Sequence, residues 1–284
     1  FRIIQRRSSL YPVQALCMIA EVSRSGYYKF LARPDSPPDA ESELVECINS
    51  IQDKVKHIYG YRRMKTAVEK QLKVVVNKKK LARIQKEHHL QAQVRRKRFK
   101  HPQLTFAVEA AKANHLNRQF DADAPNQKWV TDITYLQKGD TRLYLSVILD
   151  LFNKEIVSYR ISDTLAIPFV LETFGDAFAR VQPGQVLVHS DQGCHYTATI
   201  FCAMLRRNNA LQSMSRRGNC WDNAVVENFF GHLKSELVRR LQPCSKAELE
   251  KHVDDYIYFY NNTRIQGKMK MAPVEYRSHF SQTA

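Results

Sequence analysis

The stretch KWVTDITYLQKGDTRLYLSVILDLFNKEIVSYRI, residues 128–161, decides the fold. Three runs rich in Val, Ile, Leu, Tyr and Thr (Trp129 to Leu136, Leu143 to Phe152, Ile156 to Ile161) are separated by the turn Lys138-Gly139-Asp140 and by a short polar link. β-Branched and aromatic side chains suit a pleated surface, and Gly-Asp reverses a chain tightly. An antiparallel meander is therefore expected. Further on the pattern gives a helix (Pro168 to Val181), a strand (Val186 to His189), a helix (Thr197 to Asn208), a short strand near Leu211 to Ser213, and helices to the end. Such alternation makes crossover units with parallel strands, so the expected class is α/β, a mixed sheet with helices packed over it.

Three acidic residues fall on these elements. Asp132 lies on the first strand, Asp191 ends the strand in VLVHSDQGCHYT, and Glu227 sits inside a helix expected from Ala224 to Val238. Three carboxylates brought together repel and resist ionisation unless a cation neutralises them. Hard oxygen donors of this kind suit Mg²⁺ or Mn²⁺, and two ions about 4 Å apart would activate an attacking oxygen and stabilise a leaving one. Taken singly, a strand-end Asp is a turn cap and a helical Glu is a solvated charge; their surroundings change that. Gly193 lets backbone or ligand approach Asp191 closely. Lys234 lies two helical turns beyond Glu227 on the same face, where it would hold a phosphate, and Asn223 lies one turn before. Asp150, Asp163 and Asp222 are competing carboxylates, of which Asp222 is expected to support the loop before the helix. His189 and His195 flank Asp191 as either positioning or structural groups. Trp221 is expected to fill a core edge rather than stack on a base.

Composition bounds what such a site acts on. The chain has 284 residues, 44% of them apolar, with nine glycines and ten prolines, enough for two or three folded domains. Its formal net charge is +16, and residues 51–100 hold 17 Lys or Arg against 3 Asp or Glu. A concentrated basic patch is a docking place for a polyanion, so double-stranded DNA is the expected partner. A membrane is not, since no run reaches the ~18 apolar residues of a spanning helix. The six cysteines are scattered without a C-x-x-C pair, which reads as a reducing cytoplasm. The first residue is Phe, so sequence upstream is expected to be missing.

The first hundred residues read as helical and basic. Residues 1–40 form a short helical segment, with Ser23 as an N-cap, and a Pro-rich connector, RPDSPPDA. Residues 41–100 form a basic, helix-turn-helix-like unit: Leu44, Cys47, Ile48, Ile51 and Val55 share one helix face, a second helix carries Arg62 and Arg63, and Asn77 caps a third with Lys78, Lys79, Lys80 and Arg83. Lysines at a helix start oppose its dipole, and phosphate contacts supply a reason for them. Arg95, Arg96, Lys97 and Arg98 read as an extended arm on a DNA backbone. Residues 101–124 read as a linker, and 125–284 as the catalytic core with C-terminal helices.

These residues resemble a known family. Asp132, Asp191 and Glu227, with 35 residues between the last two and Lys234 seven further on, look like the D,D-35-E signature of retroviral integrases and insertion-sequence transposases. HSDQG-x-x-Y, G-N-x-x-D-N-A-x-x-E-x-F-F, YNN-x-R, VSRSGYY and IYGYRR are similar to the catalytic subunit of two-reading-frame bacterial insertion sequences. The chain departs from that pattern after YNNTR, with Gln266 and Met269. The resemblance implies a ribonuclease-H-like core, Asp132, Asp191 and Glu227 as metal ligands, Lys234 on the element's terminal DNA, and strand cleavage and strand transfer at paired element ends. It also implies a homo-oligomer in the bacterial cytoplasm at the nucleoid, with the upstream reading-frame product as fusion or partner. A DNA binder without chemistry and a nuclease that cuts without joining are the alternatives.

Overall fold

The computed structural model describes residues 1–32, 38–93, 112–180, 186–216 and 219–283. Three short helices, α1 (Arg2–Arg7), α2 (Val13–Ile19) and α3 (Arg24–Leu31), close over Ile4, Cys17 and Tyr27. Ser23 caps α3 as expected, its hydroxyl accepting from the Gly26 amide at 3.1 Å. Helix α4 (Pro38–Lys54) starts inside the segment read as an extended connector. A proline is tolerated in the first turn, where its missing N–H has no intrahelical partner to lose.

α4 packs with α5 (Tyr61–Leu72) and α6 (Lys78–Glu87) around Ile48, Met64, Val68, Leu81 and Ile84. The five apolar positions read on one face of α4 are all buried. Asn77 caps α6 by accepting from the Lys79 amide at 2.8 Å. Gln52, buried in this unit, donates to the carbonyls of Tyr59 and Leu90 at 2.9 and 2.7 Å, tying the loop after α4 to the segment after α6.

The core is built on β1 (Lys128–Lys138), β2 (Thr141–Asp150) and β3 (Ile156–Ser162), the antiparallel meander read from the sequence. Gly139 makes the first reversal at φ +58°, a conformation that side chains resist. After α7 (Ile167–Arg180) come β4 (Leu187–Ser190), α8 (Cys194–Thr197), α9 (Thr199–Arg207) and β5 (Leu211–Met214). The sheet order is β3-β2-β1-β4-β5, with β4 parallel to both β1 and β5. α9 fills the helix expected from Thr197 to Asn208, and the short α8, set off from it by the extended Ala198, precedes it.

A 3-10 turn (Cys220–Asn223) leads into α10 (Ala224–Glu236), followed by α11 (Lys246–Asn262) and α12 (Pro273–Thr283). α10 stops two residues before Val238, where Leu237 turns to φ −114°, ψ −76°. One sheet face, with Val130, Leu145, Val147 and Leu149, packs against Phe229, Leu233, Val253 and Tyr260 of α10 and α11. The other, with Trp129, Ile148 and Val157, packs against Phe169, Phe174 and Phe201 of α7 and α9. Covering both faces explains why β2 is buried from Leu145 to its end. Residues 112–124, read as linker, contribute to this core: Leu116 is buried, and Phe120 and Ala122 pack beside it.

Candidate active site

Pairing of β4 to β1 covers only Lys128, Trp129 and Val130. The rest of that edge of β1 is left without a strand neighbour among the described residues, and Asp132 stands where the pairing ends. The residue before it is fixed from three sides. The Thr131 hydroxyl donates to the Val147 carbonyl at 2.8 Å and lies 3.4 Å from the Tyr196 hydroxyl, while the Thr131 carbonyl accepts from the Asn223 side-chain Nδ2 at 3.1 Å. Asn223 is thus an anchor between the start of α10 and β1, not an open ligand on the Glu227 face.

Asp191 follows β4 directly. Its carboxylate accepts from the Gly193 amide at 2.9 Å, and a Cβ on Gly193 would stand 2.9 Å from that same oxygen. A larger residue would displace the carboxylate, which is the close approach the sequence suggested. Asp132 and Asp191 line one cavity of about 210 Å³, together with Tyr135, Tyr144, Leu165 and His195. Burial pushes the Asp132 carboxyl up to about 7, Asp191 and Glu227 push in the same direction, and the Ile133 amide and Lys234 oppose them. The same two aspartates, after burial, raise the Tyr196 hydroxyl. Burial first, and the neighbouring acids second, therefore make an ionised Asp132 costly in this cavity.

Glu227 stands exposed in the first turn of α10, coupled electrostatically to Asp132 but outside the cavity wall. No three His, Cys, Asp or Glu side chains among the described residues close to metal-holding spacing. The two aspartates share one cavity, and the charge of Glu227 acts on Asp132 from beside it. Lys234 lies over the Tyr135 ring, its Nζ 4.6 Å from the centroid, and burial lowers its ammonium pKa while Asp132 raises it.

The competing groups have structural roles. Asp222 is fully buried and accepts five hydrogen bonds, from Asn114, from Arg118 and from the backbone amide, Nε and Nη2 of Arg216. It supports the loop before α10, as expected. Asp150 accepts from the Asn126 and Phe152 amides, and Asp163 pairs with Lys246. His189 sits between the Ser213 and Ser215 hydroxyls at 2.8 and 3.0 Å, and burial lowers it to about 4, so it is a neutral core histidine. Trp221 departs from expectation: it is 65% exposed and fills no core edge, because the 3-10 turn points it outward.

The basic residues divide. Lys78 and Lys79 are exposed at the start of α6. Lys80 and Arg83 reach Glu41 on α4, Arg83 with two bonds of 2.9 and 3.1 Å. Arg62 stacks on the neighbouring Tyr61 ring, and Arg63 turns toward the core, where burial and then Arg264 lower its pKa. Arg95, Arg96, Lys97 and Arg98 lie outside the described residues. One junction was not anticipated: the Tyr59 hydroxyl accepts from the Ile265 amide at 2.9 Å and donates to the Thr263 carbonyl at 3.2 Å, joining the IYGYRR and YNN-x-R segments.

Comparison with known proteins now adds to this geometry. Two integrase core domain models match residues 122–220 and 227–280, and an HTH-like domain model matches residues 39–98. The putative transposase InsK for insertion sequence element IS150 of Escherichia coli K12 is 36% identical, over 98% of this chain and 97% of its own length. The chain belongs to the insertion-sequence transposases of the integrase-core family.

The transposase of insertion element IS904 from Lactococcus lactis is 33% identical over 82% of the chain and 91% of its own length. The catalytic core of HTLV-2 integrase, solved in complex with magnesium, is 16% identical and overlays with a TM-score of 0.45, covering 55% of this chain and 98% of that one. The protein is a DNA transposase, with an integrase core domain built on a mixed five-stranded sheet and an HTH-like unit before it. Among the described residues no helix is long and apolar enough to cross a membrane.

Proposed function

We propose that this transposase cleaves a strand at each end of its insertion element and joins it to a second DNA site, with Asp132, Asp191 and Glu227 as ligands for divalent cations. The observation that carries the reading is the shared cavity of Asp132 and Asp191, with Asp132 held near 7 by burial and by its acidic neighbours. Such a donor set fits Mg²⁺ or Mn²⁺, which take few protein carboxylates and leave positions for phosphate oxygens. Two ions bound there would activate the attacking oxygen and stabilise the leaving one. Gly193 and the Thr131–Asn223 contact keep the two aspartates in place. Lys234 would take the phosphate beside the strand end. Lys78 and Lys79, free of the Glu41 pairing, would meet the duplex backbone, with Arg62 beside them. Lys80 and Arg83 would do so only by leaving Glu41, and Arg63 only by leaving its partly covered position. The segment holding Arg95, Arg96, Lys97 and Arg98 is the proposed arm on the phosphates.

Work on two ends at once favours a homo-oligomer, with the upstream reading-frame product as fusion or partner, at the nucleoid in the cytoplasm. The test is incubation with labelled element-end duplex and Mg²⁺. Cleaved and joined products are expected from the native chain, and cleavage without joining would leave only a nuclease. Asp191→Asn is expected to lower cleavage by on the order of 10³-fold, several kcal/mol of transition-state stabilisation, while DNA affinity stays within about twofold. Loss of both together would move the acidic cavity into a structural role.

A further inference from the structure

Tyr135 is 57% exposed between the buried Thr134 and Leu136, and no step described so far uses it. Two cations from two different elements converge on its ring: Lys234 of α10 at 4.6 Å and Arg142 of β2 at 5.9 Å from the centroid. The ring belongs to the wall of the cavity that holds Asp132 and Asp191, directly across the β1–β2 ladder from Tyr144, which lines the same cavity. Lys234 therefore has two attractors at the mouth, the π face of Tyr135 and the charge of Asp132. A lysine carries four rotatable bonds, and an ammonium left to solvent would sample a wide volume. Contact with an aromatic face narrows that volume at a distance where cation–π attraction operates.

We propose that Tyr135 is a positioning residue for the transposition reaction: its ring holds the Lys234 ammonium at the mouth of the Asp132–Asp191 cavity, ready for the phosphate of a DNA strand end. This rests on the role given above to Lys234. Arg142, exposed and farther from the ring, adds a second cation to the same mouth. The arrangement makes the strand-end contact depend on the aromatic face and not on the phenol hydroxyl. Tyr135→Phe keeps that face; Tyr135→Leu removes it while remaining compatible with a strand.

The test measures binding of element-end duplex in EDTA by fluorescence anisotropy, across a salt series, so that it is independent of cleavage. Tyr135→Leu is expected to weaken binding about two- to fivefold, the range of an exposed cation–π contact, and Tyr135→Phe to restore it. The salt slope of Tyr135→Leu is expected to fall by about one phosphate's worth, as it would for Lys234→Met. In the Lys234→Met background, Tyr135→Leu is expected to lose most of its effect, keeping at most the smaller share of the more distant Arg142. An undiminished effect in that background, with an unchanged salt slope, would overturn the proposal and make the ring itself a platform for a base. Failure of Tyr135→Phe to rescue would also overturn it. Inactivity of the acidic site would show in the cleavage assay and leave these binding results untouched.

Discussion

Asp132 and Asp222 are carboxylates at the two ends of one short structural link, and their environments are opposite. Asp222 precedes Asn223, Asn223 donates to the Thr131 carbonyl, and Thr131 precedes Asp132. Asp222 has five donors, including two guanidinium groups, and these, with Arg216 first, hold its carboxyl well below the ordinary range. Asp132 has a single resolved backbone donor, the Ile133 amide at 2.7 Å, with two acids for neighbours. Glu236, at the far end of α10, follows the Asp222 pattern: it accepts from Arg264 at 2.6 and 2.8 Å and from the Tyr256 hydroxyl at 2.8 Å. The fold surrounds the carboxylates that hold α10 at its start and its end with several donors, and gives Asp132 and Asp191, which face the cavity, a local backbone amide each. Satisfied acids stabilise a structure, while unsatisfied ones keep affinity available for a ligand.

The contrast breaks most visibly at the far end of α10. Arg264 is fully buried, and Arg264→Met would leave Glu236 charged and mostly covered; the expected loss is about 3 to 5 kcal/mol of unfolding free energy in urea. A loss under 1 kcal/mol would show that Glu236 escapes to water. Asp222→Asn comes next, with about 1 to 3 kcal/mol expected at pH 7, because Arg118 and Arg216 remain half exposed and can rehydrate. Its pH dependence has a definite sign. The folded-state value of Asp222 lies below the unfolded one, so its stabilisation is present above about pH 4 and fades as pH falls further. The gap between native chain and variant should therefore narrow toward pH 2, and a gap constant with pH would remove charge as the cause.

Much of this was legible in the sequence, and the rest was hidden for a physical reason. The meander, the Ser23 and Asn77 caps and the Gly193 approach are short-range facts, set by residues a few positions apart. Two-sided burial of the sheet followed from the meander plus crossover helices. What escaped depends on how distant elements register. Glu236 meets Arg264 only because α11 lies against α10, and nothing in either local pattern marks the pair. Tyr135 reads as an ordinary strand aromatic until Lys234 is seen above it. Arg63 looks like another member of a basic patch, yet it is partly covered and lies within the field of Arg264 and Glu236. Residues 112–124 lack periodicity because their contacts are with the core surface, Arg118 and Asn114 reaching Asp222 and Leu116 filling a gap. A linker and a strap look alike in one dimension.

The smallest effect sharpens the comparison most. The Asp132 carboxyl rises from 3.8 to about 7 on folding, the reverse of Asp222. A raised value penalises the ionised form, so metal-free stability contributed by the neutral acid is present below about pH 4 and is lost as pH climbs through 7. Asp132→Asn removes the charge without changing the shape. At pH 8 in EDTA the variant should be more stable than the native chain by on the order of 1 kcal/mol, after allowance for the open side of the cavity. The advantage should vanish toward pH 4, where both side chains are neutral. Magnesium should close the gap at pH 8 by stabilising the native chain and leaving the variant less affected, since a bound cation stabilises the state that binds it. Destabilisation at every pH would place Asp132 with Asp222, among the acids that hold the fold together.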